Sequence, residues 1–292
     1  MVKLGKSDIF VSAMTVGCWP FGSDEYWGEQ SQQDVNNVVS AALEMGVNTF
    51  DTAEVYNNCE SERSLGIALH GRRNEATVIS KISPSNCHNV RQHCINSLQR
   101  LDMDYLDVYM LHWPINTLGV KHFTSNVQTI ESRAIEADIV PYCMENNISI
   151  IGSMGLQQGL LAGIYSTACD VPKHQAHSRH FANFRGAETS RHHEEGAEKE
   201  IFEVVNQLRE IAHGLNIHVA QLSIAWILKK PFMASTHVGS RNIGELKMNV
   251  AACSMELPDE IETLIDEISL PVLQLLGNSP DYYEHRSKSR IF

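Results

Sequence analysis

Four side chains in the first 112 residues are of the types needed to protonate an oxyanion: Asp51, Tyr56, Lys81 and His112. A phenol, with a pKa of about 10, is a poor acid near neutrality unless a cation favours its ionised form. Lys81 can supply that cation, Asp51 can hold Lys81 in place, and His112 can donate to or orient a carbonyl oxygen. Together they predict a general acid that protonates an alkoxide formed by hydride delivery. Each also has an ordinary role: Asp51 as a turn former, Tyr56 as a surface aromatic, Lys81 reaching to solvent, His112 as a satisfied core residue. Placement separates the readings, because all four fall at or just beyond the ends of successive strand-like runs.

Those runs alternate with helix-like stretches. Residues 13–19, 47–53, 76–82 and 105–112 read as strands, and 31–46, 61–71 and 89–101 as helices, with Ser31 as an N-cap and Gly46 and Gly71 as stops. In the second half, 133–147 reads as a helix kinked or restarted at Pro141. Residues 148–154 and 233–240 read as strands, and 198–216, 218–230, 244–253 and 258–268 as helices, the last with Asp259 as its cap. This rhythm predicts a parallel α/β sheet with crossover helices. In a parallel barrel the C-terminal strand ends gather on one face, which holds the active site. Residues 166–197 form a long loop, expected to be a binding lid or a disordered insert, and 277–292 an irregular tail. No linker interrupts the chain, so residues 1–292 are expected to be one domain.

Bulk properties agree. A chain of 292 residues fits one α/β barrel, and 43% hydrophobic with 20% charged residues suits a globular core. Seven scattered cysteines without a CxxC pair suggest reduced thiols, and the N-terminal residues lack a signal-peptide pattern, so a cytoplasmic location is expected. A net charge of −12 disfavours nucleic acid or an anionic membrane as partner.

The stretches "FDTAEVYNNCESERSLGIAL", "VISKI", "LDVYMLHWP", "GLQQGLLAGIY" and "GSRNIGELKMN" together resemble the aldo-keto reductase family. The resemblance implies a (β/α)8 barrel of the TIM type and reversible NADPH-dependent reduction of a small-molecule aldehyde or ketone. Carried over by motif, Tyr56 is the acid, Lys81 and Asp51 tune it, and His112 orients the carbonyl. Gly17 and Trp19 match the pocket floor, with Trp113 a second substrate-wall candidate; both tryptophans could equally be core packing. The chain has no Gly-rich dinucleotide fingerprint. The family binds its cofactor instead through the loop after the seventh strand, here with Ser153, Leu156, Gln158 and Gly159, and through the segment after the eighth. There, Gly239, Ser240 and Arg241 would meet the 2′-phosphate, and Glu245 and Asn249 the adenine end. Amides from Leu156 to Gly159 suit a pyrophosphate, and a guanidinium suits a phosphate. Ser153 stands where the family commonly has a tyrosine stacked on the nicotinamide.

One stretch departs from the pattern. The family places two further strands and two helices between His112 and the sixth helix, but residues 113–132 leave no room for them. A parallel crossover needs about a dozen residues, and the four steps from Pro114 to Leu118 span at most about 14 Å. The expected barrel is therefore incomplete or distorted around strands five and six. Lys121 and His122 take the places of the family's nicotinamide-binding Ser-Asn pair, leaving Gln128 as the residue for the carboxamide. The reading that competes with an active reductase is a catalytically weak relative that binds NADPH or serves a regulatory role. A separate hypothesis concerns His174, His177 and His180, whose spacing by three on a helical turn could present metal ligands. Pro172 and the surrounding arginines argue for a loop, and no metal site is expected.

Overall fold

The computed structural model describes residues 1–22, 26–112, 136, 139–277 and 282–283. Trp113, Gln128, Lys121, His122 and the shortened 113–132 stretch lie outside the described residues.

An antiparallel pair, β1 (Val2–Lys3) and β2 (Phe10–Val11), precedes the main sheet. After it come β3 (Met14–Gly17), α1 (Gln32–Glu44), β4 (Thr49–Asp51), α2 (Glu60–Ala68), β5 (Thr77–Ile82), α3 (Val90–Leu101) and β6 (Val108–Leu111). The second half supplies α4 (Ile139–Glu145), β7 (Ile150–Gly152), α5 (Glu198–Gly214), α6 (Val219–Lys229), β8 (Met233–Val238), α7 (Ile243–Ala252) and α8 (Asp259–Leu276). The six strands β3 to β8 form one parallel sheet, in the order β6-β5-β4-β3-β8-β7. Pairing of β3 with β8 joins the first and last strands, as barrel closure requires. Among the described residues the sheet ends at β6 and β7, the two strands that flank the shortened stretch.

Local chemistry explains the elements. Ser31 caps α1 by accepting from the Asp34 amide, and Val35, Val38, Val39 and Ala42 line one buried face. Gly46, at φ +78°, supplies the left-handed turn that ends it. All six residues of β5 are buried, as expected for a strand covered on both faces. Pro141 lies in the first turn of α4, where its missing N–H costs no helix bond.

Two expectations fail in α8. Asp259 is not its cap: Pro258 occupies that place, and the Asp259 carboxylate accepts from Lys229 Nζ at 2.5 Å. The helix also outruns the predicted end at 268, passing Pro271 to reach Leu276. Val272, Leu273 and Leu276 beyond the proline pack into apolar clusters with Ile201, Val205 and Leu208 of α5, and that burial offsets the lost backbone bond.

The 166–197 loop is packed rather than disordered. Thr167 and Asp170 form a reciprocal capping box, and Ala168, Val171, Ala176 and Phe181 join the α5–α8 core. Arg179 is fully buried; it donates to Glu194 Oε1 at 2.8 Å and to the Leu276 carbonyl at 2.6 Å. The guanidinium thus caps the C-terminal end of α8. Among the described residues no single helix is long and apolar enough to cross a membrane.

Candidate active site

Strand register brings the acid–base residues together. Asp51 pairs with Ile79, so Lys81, two residues further along β5, projects from the same face. Tyr56 follows β4 in a turn where Asn57, Asn58 and Cys59 all have φ near +50 to +75°, a region in which asparagine is enriched. Asn57 ties this turn to the loop after β3, donating at 2.7 Å to the carbonyls of both Trp19 and Phe21. His112 sits one residue beyond β6, its amide bonded to the Ile82 carbonyl at 2.9 Å.

The result is a buried cluster. Lys81 Nζ donates to Asp51 Oδ1 at 2.5 Å, to the Thr52 carbonyl at 2.8 Å and to Tyr56 Oη at 3.2 Å. The Tyr56 ring stacks on Trp19 at 5.7 Å and meets His112 edge-on at 5.3 Å. The four predicted residues are therefore brought together, and Trp19 packs against them.

Electrostatics correct one expectation. Burial raises the Tyr56 pKa, Lys81 lowers it, and Asp51 raises it again; the phenol ends pushed up to about 12. In the free protein Lys81 does not make Tyr56 a stronger acid than free tyrosine, because desolvation of the phenolate outweighs the nearby ammonium. Burial also works against the Lys81 ammonium, but Asp51 and Tyr56 outweigh it and its pKa is raised. Burial and the Lys81 charge hold His112 well below its usual pKa, so the ring is neutral at pH 7.

The segment after β8 makes a second polar cluster. Ser240 and Asn249 are buried, with Asn249 Nδ2 donating to Ser240 Oγ at 3.1 Å. Arg241 Nη2 donates to the Glu29 carbonyl at 2.8 Å, and Gln30 Nε2 donates back to the Arg241 carbonyl at 3.0 Å. Glu245 is occupied at the start of α7, accepting from the Arg241 amide at 2.9 Å and from Asn242 Nδ2 at 2.8 Å. Arg241 Nε and Asn249 Oδ1 are buried without a hydrogen-bond partner among the described residues. A free donor on a cation and a free acceptor nearby fit a phosphate-bearing nucleotide.

The loop after β7 departs from a simple helix start. Gln157, Gln158 and Gly159 have positive φ, and the amides of Gln157 and Gly159 already donate to the Met154 and Leu156 carbonyls. Gln158 Oε1 accepts from Tyr26 Oη at 2.9 Å, which links this loop to the loop after β3. Ser153 follows directly on β7; Gly17 and Gly239 lie side by side at the ends of β3 and β8.

The loop histidines do not converge. His174 meets the Tyr26 ring at 4.6 Å, His177 Nδ1 lies 2.7 Å from the His174 carbonyl, and His180 Nδ1 lies 3.1 Å from Ser178 Oγ. Among the described residues no group of three or more His, Cys, Asp or Glu side chains is arranged to hold a metal ion. A cavity of about 430 Å³ lies away from the cluster, between β7 and helices α5, α6 and α8, and is lined mainly by apolar side chains.

Sequence reasoning missed His237, on β8. Its Nε2 lies 3.7 Å from Asp51 Oδ2. The signal was present in "MASTHVG", where Ser235 and His237 alternate as polar residues on one face of a buried strand.

A parallel α/β sheet wound as part of a barrel, with a Tyr-Lys-Asp-His cluster at its strand ends, defines a class of carbonyl oxidoreductase folds. The family model described as the Aldo/keto reductase family matches residues 13–124 and 120–270, and the chain belongs to that family. The match comes in two pieces that meet within the shortened stretch. The chain is similar to the NADH-specific methylglyoxal reductase of Escherichia coli strain K12, at 25% identity with 92% of this chain and 98% of the relative covered. Among solved structures it is similar to glycerol dehydrogenase from Gluconobacter oxydans, with a TM-score of 0.72 and 20% identity over 93% of this chain and 95% of that one. It is also similar to an aldo-keto reductase from Klebsiella pneumoniae in complex with NADPH, with a TM-score of 0.65 and 20% identity over 100% and 99% of the two chains.

Proposed function

We propose that the protein reduces an aldehyde or ketone with a nicotinamide dinucleotide, preferentially NADPH, and that Tyr56 is the acid. The observation that carries this reading is the buried contact of Lys81 Nζ with both Asp51 Oδ1 and Tyr56 Oη.

When bound, the dinucleotide supplies the hydride. Tyr56 holds its proton at every physiological pH, so the acid form is always present. As negative charge builds on the substrate oxygen, the phenol gives up its proton, and the Lys81 ammonium stabilises the phenolate left behind. Asp51 anchors the ammonium within reach. The neutral His112 ring offers an N–H to the carbonyl oxygen and fixes its direction, and Trp19 forms a wall beside Tyr56. Arg241, Ser240 and Asn249 would hold the adenine end, with Arg241 supplying a cation for the 2′-phosphate. Gln158 and the rest of the loop after β7 would serve the pyrophosphate.

A second reading, a nicotinamide-binding protein with little or no catalysis, is favoured by the family match breaking in two inside the shortened stretch. One pair of measurements decides. Titration of NADPH fluorescence should give saturable binding that Arg241→Ala weakens about 10- to 100-fold, the range for losing a charge-assisted phosphate contact. Oxidation of NADPH should accompany addition of methylglyoxal or another small aldehyde. Absence of binding sinks both readings; binding without turnover leaves the second.

A further inference from the structure

His237 and Asp51 come from strands that do not touch. His237 pairs with Thr15, and Gly17, two residues further along β3, pairs with Asp51. Side chains at these places share a face, and β8 and β4 stand two strand spacings apart, about 9.5 Å. Gly17 has no side chain to fill the interval, so the imidazole and the carboxylate meet across it at 3.7 Å. That distance is ion-pair range but not a hydrogen bond. Asp51 uses Oδ1 for Lys81, while Asp51 Oδ2 and His237 Nε2 are both buried without a hydrogen-bond partner among the described residues. A buried acceptor and a buried imidazole nitrogen left facing each other are groups poised for a proton.

We propose that His237 is a positioning residue of the acid–base cluster: when its imidazole takes up a proton it pairs with Asp51 Oδ2, draws the carboxylate off Lys81, and slackens the hold of Lys81 on Tyr56. This rests on the reductase reading above. Burial lowers the His237 pKa, Asp51 opposes that, and Lys81 adds to it, so the ring is neutral at pH 7 and the cluster is in its working arrangement. Other titratable groups near β8 are few. Cys18 follows β3, with its thiol pushed up by burial and by Asp51. Beyond Asp51 and Lys81 stand Tyr56 and His112. Strand β7 carries no titratable residue, α6 carries only Lys229, which is held by Asp259, and Lys3 of β1 pairs with the exposed Asp8. Among the described residues, Asp51 is the carboxylate that lies in ion-pair range of the imidazole.

The test uses the whole chain and two readouts. In wild type, two-dimensional NMR of the histidine rings should follow the His237 titration, and Asp51→Asn should shift it down by about one to three pH units, the range for losing an opposite charge this close. The acid limb of kcat/KM against pH should lose one unit of slope in His237→Gln, a tenfold gain per pH unit over wild type below the ionisation. Identical acid limbs, or a His237 titration indifferent to Asp51→Asn, overturn the proposal. A wild type without turnover overturns the reductase reading instead, and the NMR arm still decides whether the pair is coupled.

Discussion

Replacing Tyr56 by phenylalanine removes one oxygen and one proton from the centre of the cluster. The ring contacts with Trp19 and His112 do not use the hydroxyl, so the packing that surrounds it remains. Lys81 loses its 3.2 Å contact but keeps Asp51 Oδ1 at 2.5 Å and the Thr52 carbonyl at 2.8 Å, so its charge stays compensated. The stability cost is therefore that of one hydrogen bond, about 1 kcal/mol, read as a small fall in urea midpoint. The catalytic cost is much larger, because no other group within this cluster can replace the proton donor: His112 is neutral and Lys81 is committed. General-acid removal predicts a fall in kcat of about 10²- to 10⁴-fold, equivalent to about 2.7–5.4 kcal/mol of barrier. The assay is NADPH oxidation at 340 nm with a small aldehyde, alongside NADPH fluorescence titration to establish unchanged cofactor affinity. A variant that folds, binds NADPH and keeps kcat within about threefold of wild type would refute the reasoning.

Three further outcomes follow from the same structure. Because Tyr56 loses its proton only as pH rises through about 12, kcat/KM for reduction should stay flat on the alkaline side to at least about pH 10, measured in constant-ionic-strength buffers; an inflection near pH 8 counts against Tyr56 as the acid. Glu62 is fully buried between Ser80 Oγ at 2.6 Å and Arg100 Nε at 2.5 Å, so Arg100→Leu should destabilise by about 3–5 kcal/mol in urea unfolding. Burial depresses His177 to about 4 and His180 to about 3. Below about pH 6.5 the unfolded chain binds these protons and the folded one does not, so stability is full above that pH and falls toward pH 4 by about 1.4 kcal/mol per unit for each histidine. His180→Gln should flatten that slope in urea titrations across the range.

Elements governed by local chemistry were legible in the sequence. The Ser31 cap, the Gly46 stop and the strand at β5 follow from spacing alone, and Asp51, Lys81 and His112 were legible because each falls at or next to a strand end. What escaped depends on the distance between segments remote in the chain. The net effect on Tyr56 required knowing that desolvation outweighs one ammonium, and burial depth is not written in the residue type. His237 faces Asp51 only because β8 pairs with β3 and Gly17 leaves a gap between them. Asp259 looked like a cap until Lys229, brought alongside by α6, claimed its carboxylate. The loop after Tyr165 read as a lid or a disordered insert because of its length, while the arginine that pins it donates to a carbonyl almost a hundred residues away.

That arginine has a consequence for motion. With Arg179 bonded to Glu194 on one side and to the end of α8 on the other, and its amide held by the Tyr282 carbonyl at 2.5 Å, the loop cannot swing out while α8 stays in place. Loop and helix end should open as one cooperative unit. Amide hydrogen exchange would then report a shared opening free energy for residues 178–182 and 273–277, set by fraying of the C-terminal helix.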